Sequence, residues 1–149
     1  MTLLEMINED VIKVPLESST KHDVFRELIE ILHKAGKVKN TESVFDAVIN
    51  RDNQMSTALE NGIALPHAKT EEVNQLVLAI GVSPKGIDCD SHDGNLSHLF
   101  FLLLAPPDQS GPHIEALSEI SRATKSNAFR RVLLSAQNAA EIVEFFCED

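Results

Sequence analysis

Leu76-Val77-Leu78-Ala79-Ile80-Gly81-Val82 is a continuous apolar run with none of the polar alternation of a half-solvated strand. A run of this length and composition reads as a strand covered on both faces, which requires helices on either side of it. Ser83-Pro84-Lys85-Gly86 reads as the turn that ends it. A second run, His98-Leu99-Phe100-Phe101-Leu102-Leu103-Leu104, reads as another central strand, cut off by Pro106-Pro107. Upstream, Val11-Ile12-Lys13-Val14-Pro15-Leu16 is short and β-branched and reads as a first strand ended by proline. Thr20, with Asp23 three residues on, opens a helix whose apolar positions Val24, Phe25, Leu28, Ile31, Leu32 and Ala35 recur at helical spacing until Gly36. Asn40 or Thr41 caps a second helix with Val44, Phe45, Val48 and Ile49 on its inner face, ending near Asn50-Arg51-Asp52. After the second central strand, Pro112 stands at the first position of a helix carrying Ile114, Leu117 and Ile120, and Ser126 and Asn138 cap two more. This order of elements predicts an α/β layered fold: a small mixed β-sheet flanked by helices, in a single domain over residues 1–149.

Composition narrows the function. Hydrophobic residues at 43% and charged residues at 24% describe an ordinary globular chain. The formal net charge of −10, with only Arg130-Arg131 clustered, argues against nucleic acid and suits a basic protein partner. The longest apolar run, Leu99 to Pro107, is too short to cross a bilayer, and the first residues carry acids where a signal peptide needs a basic start. A cytoplasmic protein without membrane insertion is expected. Cys89 and Cys147 form no CxxC pair, so neither a disulfide framework nor a zinc site is indicated. Asp88-Cys89-Asp90-Ser91-His92-Asp93-Gly94 is dense in potential ligands, but its spacing does not match a calcium loop and it reads as a solvated turn.

The stretch that carries chemistry is Thr57-Ala58-Leu59-Glu60-Asn61-Gly62-Ile63-Ala64-Leu65-Pro66-His67-Ala68-Lys69. Asn61-Gly62 signals a turn, and Pro66 restricts both itself and Leu65, so the chain entering His67 has few alternatives and the imidazole can be aimed. A neutral imidazole is a competent nucleophile near pH 7. On these residues alone, His67 reads equally as a phosphoryl-accepting nucleophile or as an ordinary loop histidine. Arg51, where a helix runs into the loop before this stretch, is placed to meet an anion; its bland alternative, preferred on sequence physics alone, is a surface arginine paired with Asp52 or Glu42. His113, at a helix N-terminus, has backbone N–H groups and a positive dipole end beside it, which favour a phosphate and a neutral ring. Its alternative is a histidine merely exposed in a first turn.

Taken together, Arg51, Asn61-Gly62-Ile63-Ala64-Leu65-Pro66-His67-Ala68-Lys69 and Pro112-His113-Ile114-Glu115-Ala116-Leu117 resemble a known pattern. The chain resembles the enzyme IIA domains of the bacterial phosphoenolpyruvate-dependent phosphotransferase system, of the fructose/mannitol and nitrogen-regulatory type, over nearly its whole length. The resemblance implies that His67 is phosphorylated on Nε2 as an intermediate, with His113 and Arg51 beside it holding the phosphoryl oxygens. It implies the phosphocarrier HPr, or its nitrogen-branch relative, as donor, and a IIB domain or a regulated protein as the partner served. No metal is required, and with no GxxxxGK[ST] or GxGxxG there is no nucleotide site, so no cofactor is expected. Ala58 and Glu60 stand where the family usually has glycines, Cys89 and His92 fall where it tends to have an aromatic and an apolar residue, and His98 reads as structural.

Overall fold

The computed structural model describes residues 3–147. The two apolar runs pair with each other. Strands β4 (Val77–Ile87) and β5 (Ser97–Ala105) run antiparallel, from Val77↔Leu104 to Val82↔Leu99, and both are buried along this length. β1 (Ile12–Lys13) lies parallel to β4, with Ile12 opposite Ile80. On the far side of β5, the histidine stretch itself supplies the sheet edge. β2 (Ile63–Ala64) and β3 (His67–Lys69) both pair parallel to β5, in the registers Ile63↔Leu99 and His67↔Leu103. The interruption between them falls at Leu65-Pro66. Proline has no N–H for the ladder, and Leu65 turns its own N–H away from β5 to Thr57 O, 2.9 Å away. The sheet is therefore mixed, in the order β1-β4-β5-β2 with β3 also on β5.

Helices cover both faces. α2 (Lys21–Lys34) and α3 (Thr41–Gln54) pack on each other, α2 onto β4 and α3 onto β3. On the other side, Leu78, Ile80 and Phe101 meet Leu3 of α1 (Leu3–Met6), Ile120 of α4 (Ser110–Ala123), Phe129 of α5 (Asn127–Ser135) and Phe146 of α6 (Ala139–Cys147). The starts of these helices follow from residue type. Thr20, Asn40 and Ser126 each accept, through the side-chain oxygen, from the backbone N–H three residues on. Asn138 and Glu141 form a box: Glu141 N–H donates to Asn138 Oδ1 (3.0 Å), and Gln137 N–H donates to Glu141 Oε1 (2.9 Å).

Four boundaries differ from expectation. The segment Ser83-Pro84-Lys85-Gly86 does not end β4. The strand continues to Ile87, opposite Ser97, with an irregularity between Val82 and Ile87 that accommodates Pro84 and a left-handed Gly86 (φ +86°). β1 is shorter than residues 11–16 because a 3-10 turn takes Glu9–Val11 and Leu16 bonds Val82 separately. α3 runs on to Gln54, one turn past Arg51. α4 begins at Ser110, so Pro112 is its third residue, still within the turn whose N–H groups lack intrahelical acceptors. Ile114 points outward, 62% exposed, and the buried face of that helix is His113, Ala116 and Ile120.

Candidate functional site

His67 opens β3, and its ring is half-buried. Its Nδ1 lies 2.8 Å from Leu65 O. A carbonyl oxygen only accepts, so Nδ1 carries the proton and the neutral ring presents its lone pair on Nε2. Burial and the Arg51 charge press the His67 pKa below its ordinary value, outweighing the Leu65 bond and the Asp52 charge that pull the other way. At neutral pH the ring is therefore uncharged.

His113 sits one turn into α4, its own N–H donating to Gln109 O (3.0 Å). It is 5% exposed, so it is not the solvated first-turn histidine that was the alternative. Its ring centroid lies 5.6 Å from that of His67, with the planes at 65°. Burial first, then the His67, Lys69 and Arg51 charges, push its pKa down to about 4. His113 Nε2 is buried without a hydrogen-bond partner among the described residues. A buried polar nitrogen left open costs free energy unless a group from outside meets it.

Arg51, in the last turn of α3, donates from Nη1 to Met55 O (3.1 Å), and its charge acts on both histidines. The expected pairing with Asp52 or Glu42 is not found. Asp52 is held by Lys21 and Glu42 by Arg26, so neither carboxylate takes up the guanidinium. Three side chains that were separate in sequence thus share one neighbourhood, in which the Arg51 charge acts on both rings.

Other contributors carried no sequence signal that was read. Lys69 lies two residues beyond His67, on the same side of β3, and its Nζ donates to Ser110 Oγ (2.7 Å) at the start of α4. Strand alternation would have found it. Asp52 and Thr57, both buried, and the partly exposed Lys21 form a cluster behind the site that joins distant segments, and no local pattern announces it.

The remaining candidates lie elsewhere. Asp93 accepts from Asn61 N–H (3.0 Å), pinning the turn at Asn61 (φ +65°) and Gly62 (φ +79°), while Asp90 reaches Lys21 (3.5 Å). Among the described residues no group of three His, Cys, Asp or Glu could hold a metal ion. His98 Nδ1–H donates to Ser83 O (2.9 Å) and its ring packs against Gly62 and Gly86, a structural role. Ala58, where a glycine is usual, bridges to Ala64 with an ordinary backbone, so that departure does not disturb the turn. Burial pushes the Cys89 thiol up to about 11, which leaves it unreactive. No helix among the described residues is long and apolar enough to cross a membrane.

Comparison with known proteins places the chain in a family. The chain is 36% identical over 144 residues to the fructose-specific EIIABC component of Bacillus subtilis, covering 97% of this chain and 23% of that one. It is 29% identical to the fructose-specific EIIA component of Haloferax volcanii, covering 93% and 90%. Among solved structures, nitrogen regulatory protein IIA-Ntr of Neisseria meningitidis superposes with a TM-score of 0.88 at 26% identity, covering 95% of this chain and 97% of that one. The family model "Phosphoenolpyruvate-dependent sugar phosphotransferase system, EIIA 2" matches residues 5–148, and the chain belongs to that family.

Proposed function

We propose that His67 takes a phosphoryl group from the phosphorylated phosphocarrier HPr and passes it to a IIB component in sugar uptake, the whole chain acting as one enzyme IIA unit. The observation that carries this reading is the Nδ1–H bond to Leu65 O, which leaves Nε2 as the nucleophile beside an unpartnered His113 Nε2. In the transfer, the Nε2 lone pair attacks phosphorus in line as the P–N bond to the donor's imidazole breaks, and the departing ring keeps that electron pair. The Nδ1 proton stays on the Leu65 bond throughout. His113, as Nε2–H donor, and the Arg51 guanidinium stabilise the equatorial oxygens in a partly desolvated place, where each such donor is worth about 10²–10³ in rate.

Incubation with labelled phosphoenolpyruvate, enzyme I and HPr is expected to give an acid-labile label that His67→Ala abolishes. Label surviving that substitution would sink the assignment. A second reading is favoured by the likeness to the nitrogen regulatory protein: the phosphorylation state of His67 controls which protein binds, because two added negative charges change the surface presented. Pull-downs with the phosphorylated protein and with His67→Ala separate the two, since identical partner sets argue against a switch.

A further inference from the structure

We propose that Asp52 is a positioning residue for both His67 and Arg51, acting through Thr57 and the Leu65 peptide without touching the phosphoryl group; this rests on His67 being the phosphoryl acceptor. Asp52 is 5% exposed. Its Oδ1 accepts from Thr57 N–H (3.0 Å) and from Thr57 Oγ1–H (2.8 Å), and its Oδ2 lies 2.8 Å from Lys21 Nζ. Burial alone would raise its pKa, but the Lys21 and Thr57 bonds hold it below the usual carboxylate range, so it is a fixed anion at working pH.

Thr57, itself 5% exposed, carries the connection forward. Its carbonyl accepts from Leu65 N–H (2.9 Å), and the Leu65 carbonyl accepts from His67 Nδ1–H (2.8 Å). Successive hydrogen bonds therefore link a buried carboxylate to the bond that sets the tautomer of the nucleophile. The same clamp closes the segment from Asp52 to Thr57, which contains Met55, and Met55 O anchors the Arg51 guanidinium at 3.1 Å. An ion pair of this kind, with its carboxylate buried, adds little net stability over an apolar replacement, but it fixes geometry, and geometry is what an in-line transfer needs.

The tautomer is the point of leverage. A free neutral imidazole favours its proton on Nε2, the position that must be bare for attack. The Leu65 carbonyl reverses that preference, and it does so only while its peptide is held. The charged and titratable groups around His67 are Arg51, Asp52 and His113, with Lys69 acting on His113.

The test uses Asp52→Asn, Thr57→Val and Thr57→Ser in the full chain. Nitrogen-15 NMR at pH 8 reads the His67 tautomer, circular dichroism reads folding, and labelling from phosphorylated HPr reads rate. Wild type and Thr57→Ser are expected to hold the proton on Nδ1. Asp52→Asn and Thr57→Val are expected to move a measurable fraction to Nε2 and to slow labelling by about 10- to 100-fold. Folded variants with the wild-type tautomer and rate overturn the proposal, and if Asp52→Asn does not fold, Thr57→Val decides on the same terms. A wild-type protein that takes no label on His67 refutes the phosphoryl reading instead, while the tautomer still reports whether Asp52 positions the ring.

Discussion

The imidazoles of His67 and His113 are both held neutral, and the consequence is a window in pH. Burial lowers the His113 pKa from an ordinary value of about 6.5 to about 4. Between those values the unfolded chain binds the proton that the folded chain refuses, so stability is full above the unfolded value and falls as pH drops through the window. His67 acts in the same direction. The melting temperature is expected to fall as pH is lowered from 6.5 to 4, and to fall less in His113→Gln. Asp52 and Asp93, whose pKa values are lowered, lose their contributions only below the ordinary carboxylate range and so do not account for a loss in this window. For transfer, Arg51→Ala and His113→Ala are each expected to slow labelling of His67 by about 10²–10³, measured as single-turnover rates with phosphorylated HPr. His67, Arg51 and His113 were named as one candidate site because the resemblance joined residues that were each unconvincing alone. Lys69 was missed although its alternation with His67 along β3 could have found it, and Asp52 was read only as a possible partner of Arg51, because its actual partner Lys21 lies on another element and such a contact leaves no local trace.

β4 and β5 do most to place the site, since β3 takes its register from β5, with His67 opposite Leu103. These strands were readable from apolar content, and the helix starts from cap residues with a defined hydrogen-bonding job. The continuation of β4 through Ser83-Pro84-Lys85-Gly86 was not readable. Proline and glycine signal a turn locally, but pairing of Ile87 with Ser97 overrides the signal. The edge strands β2 and β3 escaped strand assignment because they are too short to show alternation. Gly81 in β4 tests the packing behind the sheet. A Cβ there would lie 2.8 Å from Leu16 Cδ2, so Gly81→Ala is expected to cost about 1–3 kcal/mol through overpacking, read as a lower denaturant midpoint. In α2, Leu28 is fully buried, and Leu28→Ala is expected to cost about 2–5 kcal/mol by the same measurement.

The proposed donor, phosphorylated HPr, is a macromolecule. Two surface grooves, of about 510 and 450 Å³, are lined by residues such as Leu59 and His92 or Arg26 and Phe45, and neither is lined by His67. Near the histidines, Met55 (66% exposed) and Ile114 (62% exposed) adjoin the segments that carry Arg51 and His113. Ile114→Asp is expected to raise the KM for phosphorylated HPr about fivefold or more, with kcat little changed, because burial of such an anchor is worth about 1 kcal/mol or more at an interface. The central claim is that Nε2 of His67 forms the bond to phosphorus, since Nδ1 is committed to Leu65. Nitrogen-15 and phosphorus-31 NMR of the protein phosphorylated through HPr measures this directly. The expected result is a single phosphohistidine at residue 67 with phosphorus on Nε2 and the proton retained on Nδ1; phosphorus on Nδ1, or on any other residue, would contradict the account.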